Sequence, residues 1–157
     1  MGEMERIAVF PGSFDPITLG HESIVRRALG IFDKVIVAIG ENPGKSSFFQ
    51  LEKRLEWLEA TFGDEPRVQI ETYTGLTVDF CRKTGAGFIL RGLRTGADFE
   101  FERGIGQMNR YLETDLETVF LLCEPGLAPV SSSIVRDIYR HGGDIRQFIP
   151  KKIIINQ

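Results

Sequence analysis

Residues 6–21, RIAVFPGSFDPITLGH, change character halfway along. The first five, RIAVF, form an apolar run suited to a strand, and they lead straight into Pro11-Gly12. Residues 20–32, GHESIVRRALGIF, place Ile24, Val25, Ala28, Leu29 and Phe32 on one stripe at helical period. The segment therefore reads as a strand, a glycine-bearing turn and a helix. Free N–H groups at a helix start, with a close approach that glycine permits, suit an oxyanion or phosphate. His21, in the first turn, could donate a hydrogen bond to such a group. The alternative is an ordinary turn with a packing histidine.

The same alternation continues outward. Residues 34–39, KVIVAI, read as a strand covered on both faces, followed by a loop with Gly40, Pro43 and Gly44. Residues 50–62 put Leu51, Leu55, Leu58 and Phe62 at helical spacing, with Glu52, Lys53, Arg54, Glu56 and Glu59 outside. Residues 67–71 form a third strand with Val68 and Ile70 inward. A short helix over 76–84 stops at Gly85 and Gly87. Residues 88–90 form a fourth strand that ends at Arg91-Gly92. The longest helix, 97–112, carries Phe101, Ile105, Met108 and Leu112 on one stripe, with Gly104 and Gly106 inside it. Each glycine costs up to about 1 kcal/mol against alanine, so close packing or a break is expected there. A fifth strand over 117–123 and a serine-opened helix over 131–141 follow, and the apolar tail is expected to dock on the body. The reading is one α/β domain spanning 1–157, with a five-stranded parallel sheet and helices on both faces. Ligands of such folds bind beyond the carboxyl ends of the strands, where the unusual residues of this chain fall.

Composition narrows the class. The 157 residues carry 19 Lys plus Arg against 22 Asp plus Glu, a formal charge of −3. That argues against a broad nucleic-acid surface but leaves room for a local cationic cluster. Cys81 and Cys123 cannot form a disulfide framework and suit a reducing compartment; Cys81 reads as inert. No apolar run is long enough for a membrane span or a signal peptide, so a cytoplasmic location without membrane contact is expected. With only His21 and His141 beside two distant cysteines, no metal site on the chain is expected.

The motif after the first strand is neither Gly-x-Gly-x-x-Gly nor a P-loop: Gly44-Lys45-Ser46 lacks the upstream glycine, because position 39 is Ile. Arg91 and Arg94 close a buried strand, which is costly unless an anion pairs with them or they face water. Ser131-Ser-Ser133, with Arg136 behind, can cap a helix and can also hold the outer phosphates of a nucleotide.

Together these segments resemble the bacterial phosphopantetheine adenylyltransferase family, in the nucleotidyltransferase superfamily related to class I aminoacyl-tRNA synthetases. The resemblance rests on Phe10-Pro-Gly-Ser-Phe-Asp-Pro16, Thr18-Leu-Gly-His21, Lys45, Arg91-Gly-Leu-Arg94 with the following Ala97-Asp-Phe-Glu100, Met108-Asn-Arg110, and Ser131-Ser-Ser-Ile-Val-Arg136. It implies a Rossmann-like nucleotidyltransferase fold and the reaction of ATP with 4′-phosphopantetheine to give dephospho-coenzyme A and pyrophosphate. It also implies Mg²⁺ bound mainly through the ATP phosphates, a homohexamer built as a dimer of trimers, and feedback inhibition by coenzyme A.

The implied roles follow residue by residue. His21, Lys45 and Arg91 are the catalytic set. Ser13, Phe14, His21, Gly92, Leu93, Arg94 and Glu102 line the ATP site, with Leu127, Ala128, Pro129, Val130, Ser131, Ser132 and Ser133 around the nucleotide. Ser13, Lys45, Thr77 and Arg91 hold 4′-phosphopantetheine. Two positions depart from the family pattern: Ser13 stands where many members have Thr, and Leu127-Ala-Pro129 replaces an aromatic-Ser-aromatic run. The rival readings are a related enzyme adenylating nicotinamide mononucleotide or cytidylating glycerol 3-phosphate, and a nucleotide-binding module without catalysis.

Overall fold

A computed structural model describes residues 3–156. Its strands are β1 (Ile7–Gly12), β2 (Lys34–Glu41), β3 (Val68–Thr74), β4 (Phe88–Leu93) and β5 (Glu117–Leu122). All pair in parallel, in the order β3-β2-β1-β4-β5. The helices are α1 (Leu19–Ala28), α2 (Leu51–Phe62), α3 (Thr77–Thr84), α4 (Gly96–Leu112) and α5 (Ser132–Arg140). This is the expected α/β architecture.

Strand alternation divides the core into two layers. Ala8, Phe10, Val35, Val37, Ile39 and Leu90 point to one face, where Ile24 and Val25 of α1, Trp57 and Leu58 of α2 and Val135 of α5 cover them. Val9, Ile36, Ala38 and Ile89 point to the other, under Val78, Phe80 and Cys81 of α3. Each fully buried Val or Ile contributes about 1.5–3 kcal/mol of transfer free energy. The tail docks as expected: Ile149 and Ile153 are buried, and the Tyr139 hydroxyl donates to the Asn156 carbonyl at 2.8 Å.

Several local expectations need revision. Helix α1 ends at Ala28, yet Leu29 and Phe32 remain buried because the turn folds back onto the same core. Strand β1 continues through Pro11 and Gly12, which pair with Ala38 and Ile39. Arg54, expected outside, is only 7% exposed. It shares a helical stripe with Trp57, Leu58 and Thr61, all buried. Helix α4 runs unbroken through its two glycines. Gly106 lies close to Thr118, where a Cβ would come within 3.3 Å of Oγ1, whereas Gly104 faces open space. The stripe of α4 does not enter a core: Phe101, Ile105, Met108 and Leu112 are 43–70% exposed.

The sheet also sets up a crevice. Strands β1 and β2 pair as far as Gly12 and Ile39, but β1 and β4 pair only at Ala8–Phe88 and Val9–Ile89. Beyond Val9 the two central strands part. The chain's strand order reverses at this point, and a parallel sheet accepts ligands at such a point.

Candidate active site

The wall contributed by β1 and α1 is built around a histidine. Thr18 is the N-cap of α1, and its Oγ1 accepts the His21 N–H. The Thr18 N–H in turn donates to His21 Nδ1 at 3.0 Å. The histidine thus closes a capping box from the third helical position. An Nδ1 that accepts a backbone proton leaves the ring proton on Nε2. Burial, then the charges of Arg91 and Arg94, hold the His21 pKa down at about 4. At neutral pH His21 is therefore a neutral imidazole with an Nε2–H to donate.

Phe14 anchors the preceding turn. Its φ is 46°, and its buried ring packs edge-on against Phe10 and His21, with centroids 5.4 and 5.0 Å away. A Cβ on Gly12 would lie 3.1 Å from that ring, so the glycine makes room for it.

The opposite wall comes from β4 and α4. Arg91 Nε and Nη2 donate to the two carboxylate oxygens of Glu102 at 3.0 and 2.6 Å. Its Nη1 donates to the Pro11 carbonyl at 2.6 Å, bridging the gap where β1 and β4 separate. Three of the guanidinium's five N–H groups are spent this way, and two remain on Nη1 and Nη2. Arg94 Nε lies 3.3 Å from Asp98. Each arginine thus meets a carboxylate of α4 without a substrate; Arg91 is half-buried, and Arg94 is exposed to water.

The third wall is the start of α5. Ser131 is the N-cap and accepts the Ile134 N–H. Ser132 Oγ donates to the Pro16 carbonyl at 2.8 Å. Ser133 Oγ accepts from Arg136 Nη2, which leaves its own proton free, and Arg136 Nη1 donates to the Asp15 carbonyl. One serine caps, one fastens the β1–α1 turn and one remains as a hydroxyl donor.

Three neighbouring cavities meet at Ser13. One of about 360 Å³ is lined by Ser13, Phe14, His21, Arg91, Gly92, Arg94, Val130, Ser132 and Ser133. A second, about 270 Å³, lies between Ser13, Tyr73, Thr77, Arg91, Glu102 and Asn109. A third, about 580 Å³, lies between Ser13, Gly40, Lys45, Arg54, Thr74 and Arg136. Most residues implied for ATP share the first cavity. Those implied for the acceptor divide between the other two, with Arg91 and Ser13 common to both substrates' regions. Leu93 is buried, Glu102 faces the second cavity, and Leu127, Ala128, Pro129 and Ser131 line none of the three.

Sequence reasoning gave Asp15, Tyr73 and Asn109 no individual role, although Asp15 and Asn109 stand in the quoted motifs, and it placed Arg54 outside. Arg54 had a usable signal, since its spacing to Trp57, Leu58 and Thr61 is helical. Cys81, expected to be inert, is buried, and burial pushes its thiol up to about 11. A cavity of about 670 Å³, larger than these three, lies elsewhere, between α4 and β5. Its α4 side is Arg103, Gly106, Gln107, Arg110 and Tyr111, not the stripe of Phe101, Ile105, Met108 and Leu112, and it holds none of the residues implied for the site.

The cytidylyltransferase-like family profile matches residues 9–138. The phosphopantetheine adenylyltransferase of Christiangramia forsetii is 54% identical over 143 residues, 91% of this chain and 94% of that protein. That of Cytophaga hutchinsonii is 49% identical over 150 residues, 96% of this chain and all of that protein. Among solved structures, a bifunctional NMN adenylyltransferase/ADP ribose pyrophosphatase from Francisella tularensis superposes with a TM-score of 0.70 at 20% identity. It matches 96% of this chain and 46% of its own, a likeness of fold.

Proposed function

Because the chain belongs to the phosphopantetheine adenylyltransferase family, within the cytidylyltransferase-like proteins, we propose that the crevice between β1 and β4 brings its two substrates together. The enzyme transfers the adenylyl group of ATP to 4′-phosphopantetheine, giving dephospho-coenzyme A and pyrophosphate, a step of coenzyme A synthesis. The observation that carries the site assignment is the convergence of His21, Arg91, Arg94 and Ser133 on one cavity that shares Ser13 with its neighbours.

An oxygen of the acceptor phosphate attacks the α-phosphorus of ATP. The new P–O bond forms as the bond to the β-phosphate bridging oxygen breaks, and pyrophosphate departs with that electron pair. The phosphate nucleophile is ionised at neutral pH, so the chain supplies no base. Its work is to offset charge and hold the two phosphates in line. His21 donates Nε2–H to a non-bridging α-phosphate oxygen as charge builds there. The two free N–H groups of Arg91, together with Lys45, receive the attacking phosphate. Arg94, the Ser133 hydroxyl and the N–H groups in the first turn of α5 steady the leaving group. Ser13 and the backbone around Phe14, with Gly92 and the Val130–Ser132 stretch, enclose the nucleotide. Thr77 borders the acceptor's arm.

Three carboxylates beside the crevice are engaged: Glu102 with Arg91, Asp98 with Arg94, and Asp15 with two backbone amides. Among the described residues no cluster of three His, Cys, Asp or Glu side chains could hold a metal. We therefore assign Mg²⁺ to the ATP phosphates, where it would supply further charge neutralisation.

The proposal extends to a homohexamer, a dimer of trimers, in the cytoplasm, with coenzyme A as a feedback inhibitor in the acceptor cavities. The exposed α4 side chains Phe101, Met108, Tyr111 and Leu112 support self-association. No helix among the described residues is long and apolar enough to cross a membrane. Pyrophosphate release from ATP and Mg²⁺ should depend on 4′-phosphopantetheine and fail with nicotinamide mononucleotide. Release with the mononucleotide instead would overturn the acceptor. Sedimentation should give six chains, and Met108→Glu should lower that number.

A further inference from the structure

Arg54 is an unusual residue for the inner stripe of a helix. It is 7% exposed and forms no ion pair among the described residues, although burying a guanidinium without a counter-ion is costly. All three of its hydrogen bonds go to uncharged oxygens. Nε donates to the Phe49 carbonyl at 3.0 Å, Nη1 to the Ser13 carbonyl at 2.8 Å, and Nη2 to Ser47 Oγ at 3.0 Å. These acceptors belong to two segments, the turn after β1 and the loop after β2. One guanidinium thus joins them.

Asp15 ties the same two segments from the other side. Its carboxylate oxygens accept the N–H groups of Phe48 and Phe49 at 2.7 and 2.8 Å. Two aromatic side chains of the loop then pack down: Phe49 against Trp57 and Tyr139, and Phe48 against Tyr139 beneath Arg140. The frame therefore holds Ser47, Phe48 and Phe49 firmly. Lys45 sits two residues upstream, in a short turn where its N–H donates to the Asn42 carbonyl. The Lys45 side chain is exposed and makes no ion pair among the described residues. It shares the third cavity with Ser13 and Arg54.

We propose that Arg54 is a positioning residue that fixes the Lys45 loop against the Ser13 turn, so that Lys45 reaches the acceptor phosphate. A lysine on a free loop would have to be ordered at the moment of binding. Here the loop's downstream end is ordered in advance by two bonds from one buried side chain, whose third bond ties it to the Ser13 turn, and this lowers that cost. The Ser13 turn keeps the Phe14 ring contacts and its bonds from Ser132 and Arg136 when Arg54 is lost, so the effect passes chiefly through Lys45 and falls on the acceptor more than on ATP. The proposal rests on the assignment of Lys45 to the acceptor phosphate.

The test is a mutant cycle of Lys45→Ala, Arg54→Gln and the double variant, with rates normalised to the folded fraction. Lys45→Ala alone examines the assignment of Lys45, and should raise the KM for 4′-phosphopantetheine about tenfold. Arg54→Gln should raise the same KM about as much and change the KM for ATP less than about threefold. In the double variant the second substitution should add less than about threefold, because the two act as one unit. Ser47→Ala removes one of the three Arg54 bonds, together with the hydroxyl's own bond to the Phe49 carbonyl, without touching the core, and should shift the acceptor KM the same way by a smaller factor. It carries the test if Arg54→Gln fails to fold. An unchanged acceptor KM in Lys45→Ala would remove the lysine and this proposal with it. A raised KM there, with no effect of Arg54→Gln or Ser47→Ala, would overturn the positioning role alone. Effects that multiply in the double variant, or a loss falling equally on both substrates, would make Arg54 a stabilising residue only.

Discussion

The two walls of the crevice would, in the proposed function, handle phosphate by different means. The α1 wall presents a neutral group: His21, its proton directed to Nε2 by the Thr18 N–H and its pKa held at about 4. The opposite wall presents full charges, Arg91 of β4 and Arg94 just beyond it, each beside a carboxylate of α4. The neutral donor supplies direction without adding attraction for the ground state. The paired arginines would supply field, moderated by their carboxylates, to hold the two proposed anionic substrates without trapping them. The walls are also coupled, since Arg91 and Arg94 help to keep His21 uncharged.

The sharpest way to break the contrast is to change which atom of residue 21 donates. His21→Ala should lower kcat by about 10²–10³, the range for losing one preorganised donor to a charge that develops in the transition state. The KM for ATP should change little. His21→Gln places an amide N–H near the position of Nε2, and His21→Asn places one near Nδ1. Glutamine should therefore retain more kcat than asparagine. Equal losses would mean that the histidine only fills space beneath Phe14.

The α4 wall should give a smaller kinetic effect and a clear loss of stability. Glu102→Gln keeps the shape but faces Arg91 with an amide, one end of which repels a donor. Losing a charge-assisted bond of this kind costs about 1.5–3 kcal/mol, read from the shift of the denaturation midpoint. With Arg91 less firmly held, kcat/KM for 4′-phosphopantetheine should fall about tenfold. If stability falls while kcat/KM holds, Glu102 serves the fold and the Pro11 carbonyl suffices to place Arg91.

The sequence revealed the strands and helices because apolar runs and helical stripes alternate with few interruptions. Where it failed, the reason was physical. The stripe of α4 has the same period as that of α1. Periodicity reports that a face must be covered but not whether the cover lies within the same chain, and here Phe101 and Met108 remain exposed. Arg54 was misread because charge ordinarily marks the solvent side of a helix, while its acceptors, the Ser13 and Phe49 carbonyls and Ser47 Oγ, come together only in the folded chain. The residues of the nucleotide cavity were legible because they stand in compact motifs at strand ends. Their division of labour was not. That Ser132 fastens a turn while Ser133 keeps a free proton depends on which oxygen each hydroxyl meets.

The finest test of the contrast is the coupling between the walls. Free in solution, the protein has two histidines, and the signal missing from His21→Gln identifies residue 21 in a proton NMR titration. That signal should titrate near pH 4 rather than around the ordinary 6.5. Arg91→Met removes one of the two positive charges that hold the value down and leaves burial and Arg94. The titration should then move upward but remain below 6.5. A midpoint at 6.5 in the native protein would mean that the crevice is open enough to hydrate the ring, and His21 would then be partly charged near neutrality. The sign carries into stability. Between about pH 6.5 and 4 the unfolded chain binds a proton at residue 21 that the folded chain refuses, so stability falls as the pH falls through that window. His21→Gln removes this contribution. The unfolding free energy of that variant should therefore decline less steeply than the native protein's between pH 6.5 and 4, and the two should run parallel above about pH 7.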